Sequence, residues 1–375
     1  MVRLSTDEET TVTTVERHTL PGRDYRDPEI YELERQRIFL QSWFCAGREE
    51  QAPGPGDWFT VDVVGESIMV LRGDDGELRA FYNVCRHRGS RLREEPSGND
   101  KGTIMCPYHA WCYDLKGDLV VTPKVDEDEI DRSKLSLWPV HLDVWQGFVF
   151  VNLTKGSPRP LRETIGAAYD DMLSFERFDM DELRIGASSE WLVEANWKII
   201  IENYNECLHC PTVHPELVEV IPAYRKGYVF EEGRDDGGVT LASGGTYAPG
   251  VDTLPTLPAM NELDARSVYG GTIFPNIMID TSGTAIIVTQ LFPQGPTRTR
   301  QVGWYLFHPD AINAPGFDPS GLVQFGELVA GQDNAICERV QRGVSSQAFD
   351  HGVYPEKDKW VYAFNQRYLQ ERDGG

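Results

Sequence analysis

The segment VCRHRGSRL, residues 84–92, decides the fold of the N-terminal half because it offers Cys85 and His87 two positions apart. Eighteen residues after His87, the segment CPYHAW adds a second pair, Cys106 and His109. Each pair follows a run of residues that predicts a β-strand, so both pairs are expected on loops at one end of a β domain. Two loops that each present one thiolate and one imidazole predict a metal centre.

The four residues leave three interpretations open, and the spacing favours one of them. Zinc fingers group cysteine with cysteine and histidine with histidine, whereas each loop here carries one of each. A Rieske [2Fe–2S] centre needs two cysteines on one iron and two histidines on the other, and histidine in place of thiolate raises its reduction potential. The mixed pairs match that centre, while a Cys2His2 zinc site and a chance arrangement stay as alternatives.

The run CRHRGSRL…CPYHAWCYDLKG resembles the Rieske signature of ring-hydroxylating and related oxygenase α subunits. The resemblance implies that Cys85 and Cys106 bind one iron of the cluster and that His87 and His109 bind the more exposed one. Rieske proteins of respiratory complexes carry an additional cysteine in each loop, which the first loop here lacks. Cys112 is therefore expected to be an ordinary strand residue.

A second group of candidate ligands lies in ANWKIIIENYNECLHCPTVHPE, which predicts a helix over about residues 195–209. Pro211 is expected to end the helix, because the residue before proline is disfavoured in the α conformation, and His214 then lies on the turn that follows. Taken alone, this stretch also fits one surface histidine and one loop histidine. The polar side is predicted to consist of Glu202, Glu206 and His209, and the apolar stripe of Trp197, Ile200, Ile201, Tyr204 and Leu208.

A later helix, predicted over about residues 319–342 with Asp318 as its cap and Pro319 at its first position, carries a carboxylate on its apolar face. Asp333 falls within that face, where a carboxylate is costly unless it is paired or binds a metal. Two histidines and one aspartate form the 2-His-1-carboxylate triad of non-haem Fe(II) sites. A buried salt bridge from Asp333 to an arginine is the structural alternative. The apolar face is predicted to consist of Leu322, Phe325, Val329, Ile336 and Val340.

The resemblance to Rieske oxygenases covers about residues 25–365 and extends to both helices. In that family an acidic residue three positions before the first histidine links the iron helix to the Rieske cluster of a neighbouring subunit, and here it is Glu206. Glutamate at this position, in the context NECLHCPTVHP, resembles the branch that oxidises choline, carnitine and betaines. Asn203 is expected to shape the site with Glu206. The iron ligands that the resemblance implies are His209, His214 and Asp333.

The implied function is that of a terminal oxygenase, which uses O2 and electrons from NAD(P)H to hydroxylate a C–H bond of a small molecule. No flavin or nicotinamide fingerprint is present, so we expect a separate flavin and iron–sulfur reductase, with or without a ferredoxin, to deliver the electrons. The implied cofactors are one [2Fe–2S] cluster and one mononuclear Fe(II). Family resemblance further implies a homotrimer.

The substrate class is the least specific expectation. The favoured substrate is a quaternary ammonium or betaine-type compound, which would be oxidised or N-demethylated. The alternative is an aromatic or carboxylated ring compound, which would be hydroxylated or O-demethylated, as in aromatic hydrocarbon catabolism. A quaternary ammonium ion calls for a cage of aromatic rings, and Phe274, Trp304 and Tyr305 are conceivable members, although ordinary core positions fit them too. An electron-carrying Rieske ferredoxin and a zinc-stabilised module are alternatives of other classes.

The predicted fold class is α+β, with an N-terminal all-β Rieske domain followed by an α+β helix-grip catalytic domain around a central antiparallel sheet. The expected divisions are a helical lead over 1–44 that packs on the catalytic domain, the Rieske domain over 45–157 and the catalytic domain over 158–375. The lead is predicted to contain a helix capped by Asp27 with Pro28 at its first position.

The bulk composition excludes some partners. A formal net charge of −23 and a pI near 4.7 argue against nucleic acid. No apolar run suits a membrane span and no secretion signal is seen, so a cytoplasmic location is expected. Seven scattered cysteines make a disulfide framework unexpected. Near the cluster motif lies a basic island that is expected either to stabilise the cluster's negative charge or to attract an acidic partner: Arg86, Arg88, Arg91 and Arg93.

Overall fold

The computed structural model describes residues 17–374 except 127, 167–171, 228, 230–233, 235, 243–246 and 249–253. It contains two main antiparallel sheets, one in the N-terminal half and one in the C-terminal half, with helices gathered on the second. The predicted α+β class, with an all-β N-terminal part, is confirmed. The first sixteen residues of the predicted lead lie outside the described residues.

Ten strands are found among the described residues of the N-terminal half. Seven of them form one sheet in the order β1-β10-β9-β4-β3-β2-β5, and β6, β7 and β8 form a small separate sheet. The dipeptide Asp75-Gly76, which is typical of tight turns, lies in the connection from β3 to β4. In chain order the strands are β1 (Phe44–Arg48), β2 (Asp57–Val63), β3 (Glu66–Arg72), β4 (Leu78–Tyr82), β5 (Ser97–Asn99), β6 (Ile104–Met105), β7 (Cys112–Tyr113), β8 (Leu119–Val121), β9 (Pro139–Trp145) and β10 (Phe148–Asn152).

The C-terminal half is built on a five-stranded sheet in the order β11-β17-β16-β15-β14. The segment GTIFPNIMID contains parts of two strands, β14 and β15, with Pro275 and Asn276 in the connection between them. Proline cannot donate to a strand ladder, and the Asn276 side chain instead bonds both backbone groups of Cys45 on β1, at 2.9 and 3.0 Å. The strands are β11 (Arg184–Val193), β12 (Val239–Thr240), β13 (Ser267–Val268), β14 (Gly270–Ile273), β15 (Ile277–Thr281), β16 (Ile286–Gly295) and β17 (Arg298–Phe307).

Eight α-helices are described; α7 carries Asp333, and the two candidate iron histidines flank α4. The predicted N-terminal cap is confirmed, since the Asp27 side chain accepts a hydrogen bond of 2.9 Å from the Glu29 amide and Pro28 is the first helical residue. The helices are α1 (Pro28–Glu34), α2 (Leu161–Gly166), α3 (Trp197–Tyr204), α4 (Cys210–Val213), α5 (Leu217–Val220), α6 (Pro309–Ile312), α7 (Ser320–Val344) and α8 (Lys359–Asp373).

One hydrophobic core joins the two halves of the molecule. It runs from the inner strands of the first sheet to α3, β16 and α8. A fully buried ion pair crosses it, because Lys198 on α3 lies 2.5 Å from Glu34 at the end of α1. Trp197 and Tyr368 also donate hydrogen bonds to Glu34, at 2.9 and 2.8 Å. These contacts fix the position of α3, and with it the start of the segment that carries both candidate iron histidines.

No helix among the described residues is both long and apolar enough to cross a membrane.

Candidate metal centres and active-site cavity

The two Cys/His loops have the same backbone hydrogen-bond pattern. The amide four residues after each cysteine donates to the carbonyl of that cysteine, and the cysteine amide donates to the carbonyl five residues on, in both cases at 2.8 Å. Both loops also use a left-handed residue at the fourth position, Gly89 with φ +73° and Ala110 with φ +56°. The shared geometry presents one cysteine and one histidine from each loop in equivalent positions.

The side chains of these loops form a buried thiol pair beneath an imidazole pair. Cys85 and Cys106 are each 2% exposed, and neither is in a disulfide. The Nδ1 atoms of His87 and His109 lie 3.1 Å apart at the surface. The arrangement separates two thiolates from two imidazoles as a Rieske cluster requires, so the donor set fits that group.

Residues around the four donors hold the loops rigidly. The Tyr113 hydroxyl lies 3.3 Å from the Cys85 sulfur and accepts a hydrogen bond of 3.0 Å from the Arg86 amide. The Trp111 ring stacks on His87 with the ring centroids 4.5 Å apart. Cys112 forms part of β7 and is free, which confirms its predicted role as a strand residue.

The four arginines of the basic island do not share one role. Arg86 donates to backbone carbonyls of the 134–136 segment, and Arg93 forms an ion pair that is largely buried. These two side chains hold loops together. Arg88 and Arg91 are exposed, and Arg91 forms an ion pair of 3.4 Å with Glu94, so Arg88 is the better placed of the two to attract a partner in solution.

The helix that precedes the candidate iron histidines is shorter than predicted. It ends at Tyr204, where buried Asn205 is the C-cap and accepts a hydrogen bond of 3.2 Å from the Thr272 hydroxyl. The prediction that Pro211 ends this helix is wrong: Pro211 stands in the first turn of α4, where proline is well tolerated. Leu208, predicted on the apolar stripe, is beyond the helix and 41% exposed.

The later helix follows the prediction more closely, with a shift of one residue at its start. It begins at Ser320, whose amide donates to the Asp318 side chain at 2.9 Å, and it extends to Val344. Its buried face rotates in the second half, so Val340 is 42% exposed. The residues that are buried along the helix are Leu322, Phe325, Asn334, Cys337, Gln341 and Val344.

The structure brings His209, His214 and Asp333 together at one point. The Nε2 atoms of the two histidines lie 3.3 and 2.9 Å from the same carboxylate oxygen of Asp333, and candidate ligand atoms of all three lie within 4.8 Å of one another. His214 is 1% exposed, whereas His209 and Asp333 keep some accessible surface. Three convergent donors with one open side fit a 2-His-1-carboxylate metal site.

The electrostatics of this cluster favour a bound cation. Burial alone lowers the pKa of His209, but its hydrogen bonds to Asp333 and Glu206 raise that pKa to about 9. Burial raises the pKa of Asp333, and the two histidines more than reverse that effect, so the net shift is downwards. No arginine contacts Asp333 among the described residues, which disfavours the salt-bridge alternative.

Outer contacts orient the two imidazoles. Glu206 Oε1 lies 2.5 Å from His209 Nδ1, and Gln332 Oε1 lies 2.8 Å from His214 Nδ1. Both contacts leave the opposite Nε2 atoms pointing at Asp333, as carboxylate and amide partners do around metal-binding histidines. The Asn203 amide nitrogen lies 3.4 Å from His209 Nε2, beside the donor cluster.

A disulfide between Cys207 and Cys210 flanks His209, and it was not predicted from the sequence. The C-x2-C spacing was the available signal. The disulfide lies in a small apolar cluster with Val218 and borders the same cavity as the histidines. It therefore closes the short segment that carries the first candidate iron ligand.

A cavity of about 230 Å³ opens beside the three donors, between α3, α7 and the five-stranded sheet. Asn203 and Tyr204 line it, as does Tyr305. The other two conceivable cage members lie elsewhere: Phe274 packs in the core against Trp197, and Trp304 packs in the core on the other side of the sheet. One further polar wall residue, Asp280 on β15, was not singled out, although it stands alone in the apolar strand IMIDT.

Two protein-family models match this chain. The Rieske [2Fe-2S] domain matches residues 42–141, and the ring hydroxylating alpha subunit catalytic domain matches residues 169–372. The first match contains both Cys/His loops, and the second contains all three donors of the cavity.

Known proteins resemble the chain along most of its length. It is 31% identical over 368 residues to the glycine betaine monooxygenase oxygenase subunit of Chromohalobacter salexigens, covering 90% of this chain and 82% of the relative. It is 36% identical over 335 residues to the carnitine monooxygenase oxygenase subunit of Escherichia coli K12, covering 88% and 85%. A solved structure of a quaternary ammonium Rieske monooxygenase, described for carnitine oxidation by gut microbiota and inter-subunit electron transfer, is 25% identical with a TM-score of 0.77 and 95% coverage of both chains.

Proposed function

The chain belongs to the family of Rieske non-haem iron oxygenase α subunits, and we propose that it hydroxylates a C–H bond of a quaternary ammonium compound. It is an oxidoreductase of the Rieske type, with one [2Fe–2S] cluster, one mononuclear Fe(II) and O2 as co-substrate. The observation that carries the proposal is the convergence of two histidines and a carboxylate on one cavity, in a chain that also has a Rieske donor set.

The proposed ligand assignment follows the geometry of the donors. Cys85 and Cys106 would hold the inner iron of the cluster, and His87 and His109 the outer one. The mononuclear iron would be held by His209, His214 and Asp333. When bound, the cluster supplies electrons singly and the Fe(II) supplies open positions at which O2 is reduced.

In the overall reaction, one atom of O2 is inserted into the C–H bond and the other leaves as water. NAD(P)H supplies two electrons and one proton, and solvent supplies the second proton. If the hydroxylated carbon is an N-methyl group, the product releases formaldehyde and leaves the demethylated amine. The chain itself contributes the walls that exclude water, the outer contacts that orient the imidazoles and the polar groups that seat the substrate. Glu206 and Asn203, next to His209, are the proposed orienting residues.

A separate reductase supplies the electrons, as is general in this family. The proposed assembly is a homotrimer in which the cluster of one subunit faces Glu206 of the next. The exposed Leu208 beside Glu206 supports an interface there.

We also propose the domain boundaries 1–44, 45–157 and 158–375. The contacts of Glu34 with Lys198 and Tyr368 support a lead that packs on the catalytic domain.

The direct test is a substrate panel with purified holoenzyme, NADH and a surrogate reductase. We expect substrate-dependent O2 uptake with quaternary ammonium compounds and none with aromatic acids. A panel in which only aromatic compounds stimulate O2 uptake would contradict the substrate class. O2 uptake without any oxidised product would indicate uncoupled turnover, and it would show that the tested compounds are not substrates.

A further inference from the structure

Asp280 is an acidic residue of the cavity that the proposed iron site does not use. It lies in β15, lines the cavity and accepts a hydrogen bond of 3.0 Å from the Tyr204 hydroxyl. No ion pair of Asp280 is found among the described residues, and no basic group contributes to its electrostatic environment. A carboxylate inside a protein is costly without a partner, so its presence calls for a cation that arrives from the cavity.

Three tyrosines of the cavity wall are close enough to this carboxylate to be affected by its charge. Tyr204 contacts it directly, and the charge of Asp280 adds to burial in raising the pKa of both Tyr224 and Tyr247. All three line the cavity, as does Tyr305. Aromatic faces around a carboxylate are the surroundings that stabilise a quaternary ammonium ion, which has no N–H group to donate.

The charges of the cavity wall are unbalanced. Among the described residues that line it, no lysine or arginine occurs, while three carboxylates do: Glu206, Asp280 and Asp333. Two of these are committed to His209 and His214. Burial raises the pKa of Asp280 to about 7, with the charge of Asp333 adding to the effect and the Tyr204 hydrogen bond opposing it. A wall of this kind attracts a positive charge and offers nothing basic to a substrate carboxylate.

We propose that Asp280 is the counter-ion of the substrate's quaternary ammonium group, and that the preferred substrate carries this positive charge without a carboxylate. The inference rests on the proposed function and narrows it to trimethylammonium compounds with a neutral polar end, such as an alcohol. A betaine or carnitine brings its own carboxylate into a cavity that already holds Asp280. Polar neutral groups in the wall, such as Thr289 and Gln301, suit a hydroxyl.

Binding to the holoenzyme tests the charge preference without turnover. Isothermal titration calorimetry would compare choline, its neutral isostere 3,3-dimethyl-1-butanol and glycine betaine. We expect choline to bind about tenfold or more tightly than the isostere, and more tightly than glycine betaine. Equal binding of choline and the isostere, or tighter binding of glycine betaine, would overturn the inference.

The variant Asp280→Asn keeps the shape of the side chain and removes its charge. We expect it to reduce the choline-to-isostere affinity ratio to near unity, while the visible spectrum of the cluster stays that of the parent. The matched control is Glu190→Gln, which removes one charge from an exposed position of β11 in the same sheet, and it should leave the ratio unchanged. An unchanged choline-to-isostere affinity ratio in Asp280→Asn would overturn the inference, even if the variant is less stable than the parent.

Turnover separates failure of this inference from failure of the proposed function. If glycine betaine and carnitine are oxidised with higher kcat/KM than choline, the counter-ion inference fails and the proposed function stands. If no quaternary ammonium compound is oxidised, the proposed function fails, and the binding ratios still decide what Asp280 recognises.

Discussion

Two glutamates four residues apart, Glu202 in α3 and Glu206 beyond its end, illustrate how neighbouring residues of one type take different roles. Glu206 reaches the surface and also holds the His209 ring at 2.5 Å. Glu202 points into the protein, where it accepts hydrogen bonds of 2.8 Å from Tyr25 and from Asn365. The sequence placed both on one polar side, because periodicity does not show that Tyr25, ahead of α1, and Asn365 on α8 pack against Glu202.

Replacing Glu206 should impair the iron site without disturbing the cluster. Glu206→Ala removes the acceptor that orients His209, and loss of such an outer contact typically lowers metal affinity or activity by about 10–100-fold. We expect that loss in O2 uptake, with an unchanged Rieske spectrum. Glu219→Gln, which alters an exposed residue of α5, is the control. Activity within about twofold of the parent would remove Glu206 from the orienting role.

Glu202 should make stability depend on pH. Burial raises its pKa to about 7 from an unfolded value near 4.5, so the native state binds its proton more tightly than the unfolded state. The stability that this proton contributes is complete below about pH 4.5 and is lost as the pH rises through about 7. Glu202→Gln should therefore flatten the fall in Tm between pH 5 and pH 8, as thermal melts would measure. Parallel curves for variant and parent would contradict this origin of the pH dependence.

The two ends of α3 show which helix boundaries can be predicted from local sequence and which cannot. Its start is set by Asn196, whose side chain accepts a hydrogen bond of 2.9 Å from the Lys198 amide, and this type of cap is readable from sequence. Its end depends on Thr272 from a distant strand, which no local pattern reveals. Asp333 on α7 was recognisable as a ligand candidate because it is an isolated carboxylate on an apolar stripe.

The buried Lys198–Glu34 pair should be the element-level contact whose loss is most damaging. Lys198→Met leaves Glu34 buried without its cation, and breaking a buried pair in this way typically costs about 3–5 kcal/mol. The control, Arg298→Gln, breaks an exposed pair with Glu194 and should cost less than about 1 kcal/mol. Denaturant unfolding would measure both. Similar losses for the two variants would mean that the buried pair does not anchor α3 to the N-terminal lead.

For the whole molecule, the sequence predicted the two donor sets and the order of the β and α+β parts. The Cys/His spacing and the Asp333 position were sufficient because metal ligands are few, chemically distinct and constrained in spacing. Asp280 and its tyrosines were not predicted, since a cavity wall combines β15, α3 and loop residues whose proximity arises only in the folded chain. The same reason explains why Tyr305 lines the cavity while Phe274 and Trp304 lie in the core.

The central claim is that one chain carries two separate iron sites, and the most direct measurement is the iron content of the Asp333→Ala variant. The parent should contain about three iron atoms per chain, two of them in the cluster, and the variant about two. The Rieske absorption and electron paramagnetic resonance spectra of the variant should match those of the parent. The control Glu327→Gln, on the exposed side of α7, should match the parent in both iron content and spectra. Unchanged iron content in Asp333→Ala, with the Rieske spectrum intact, would contradict the two-site account.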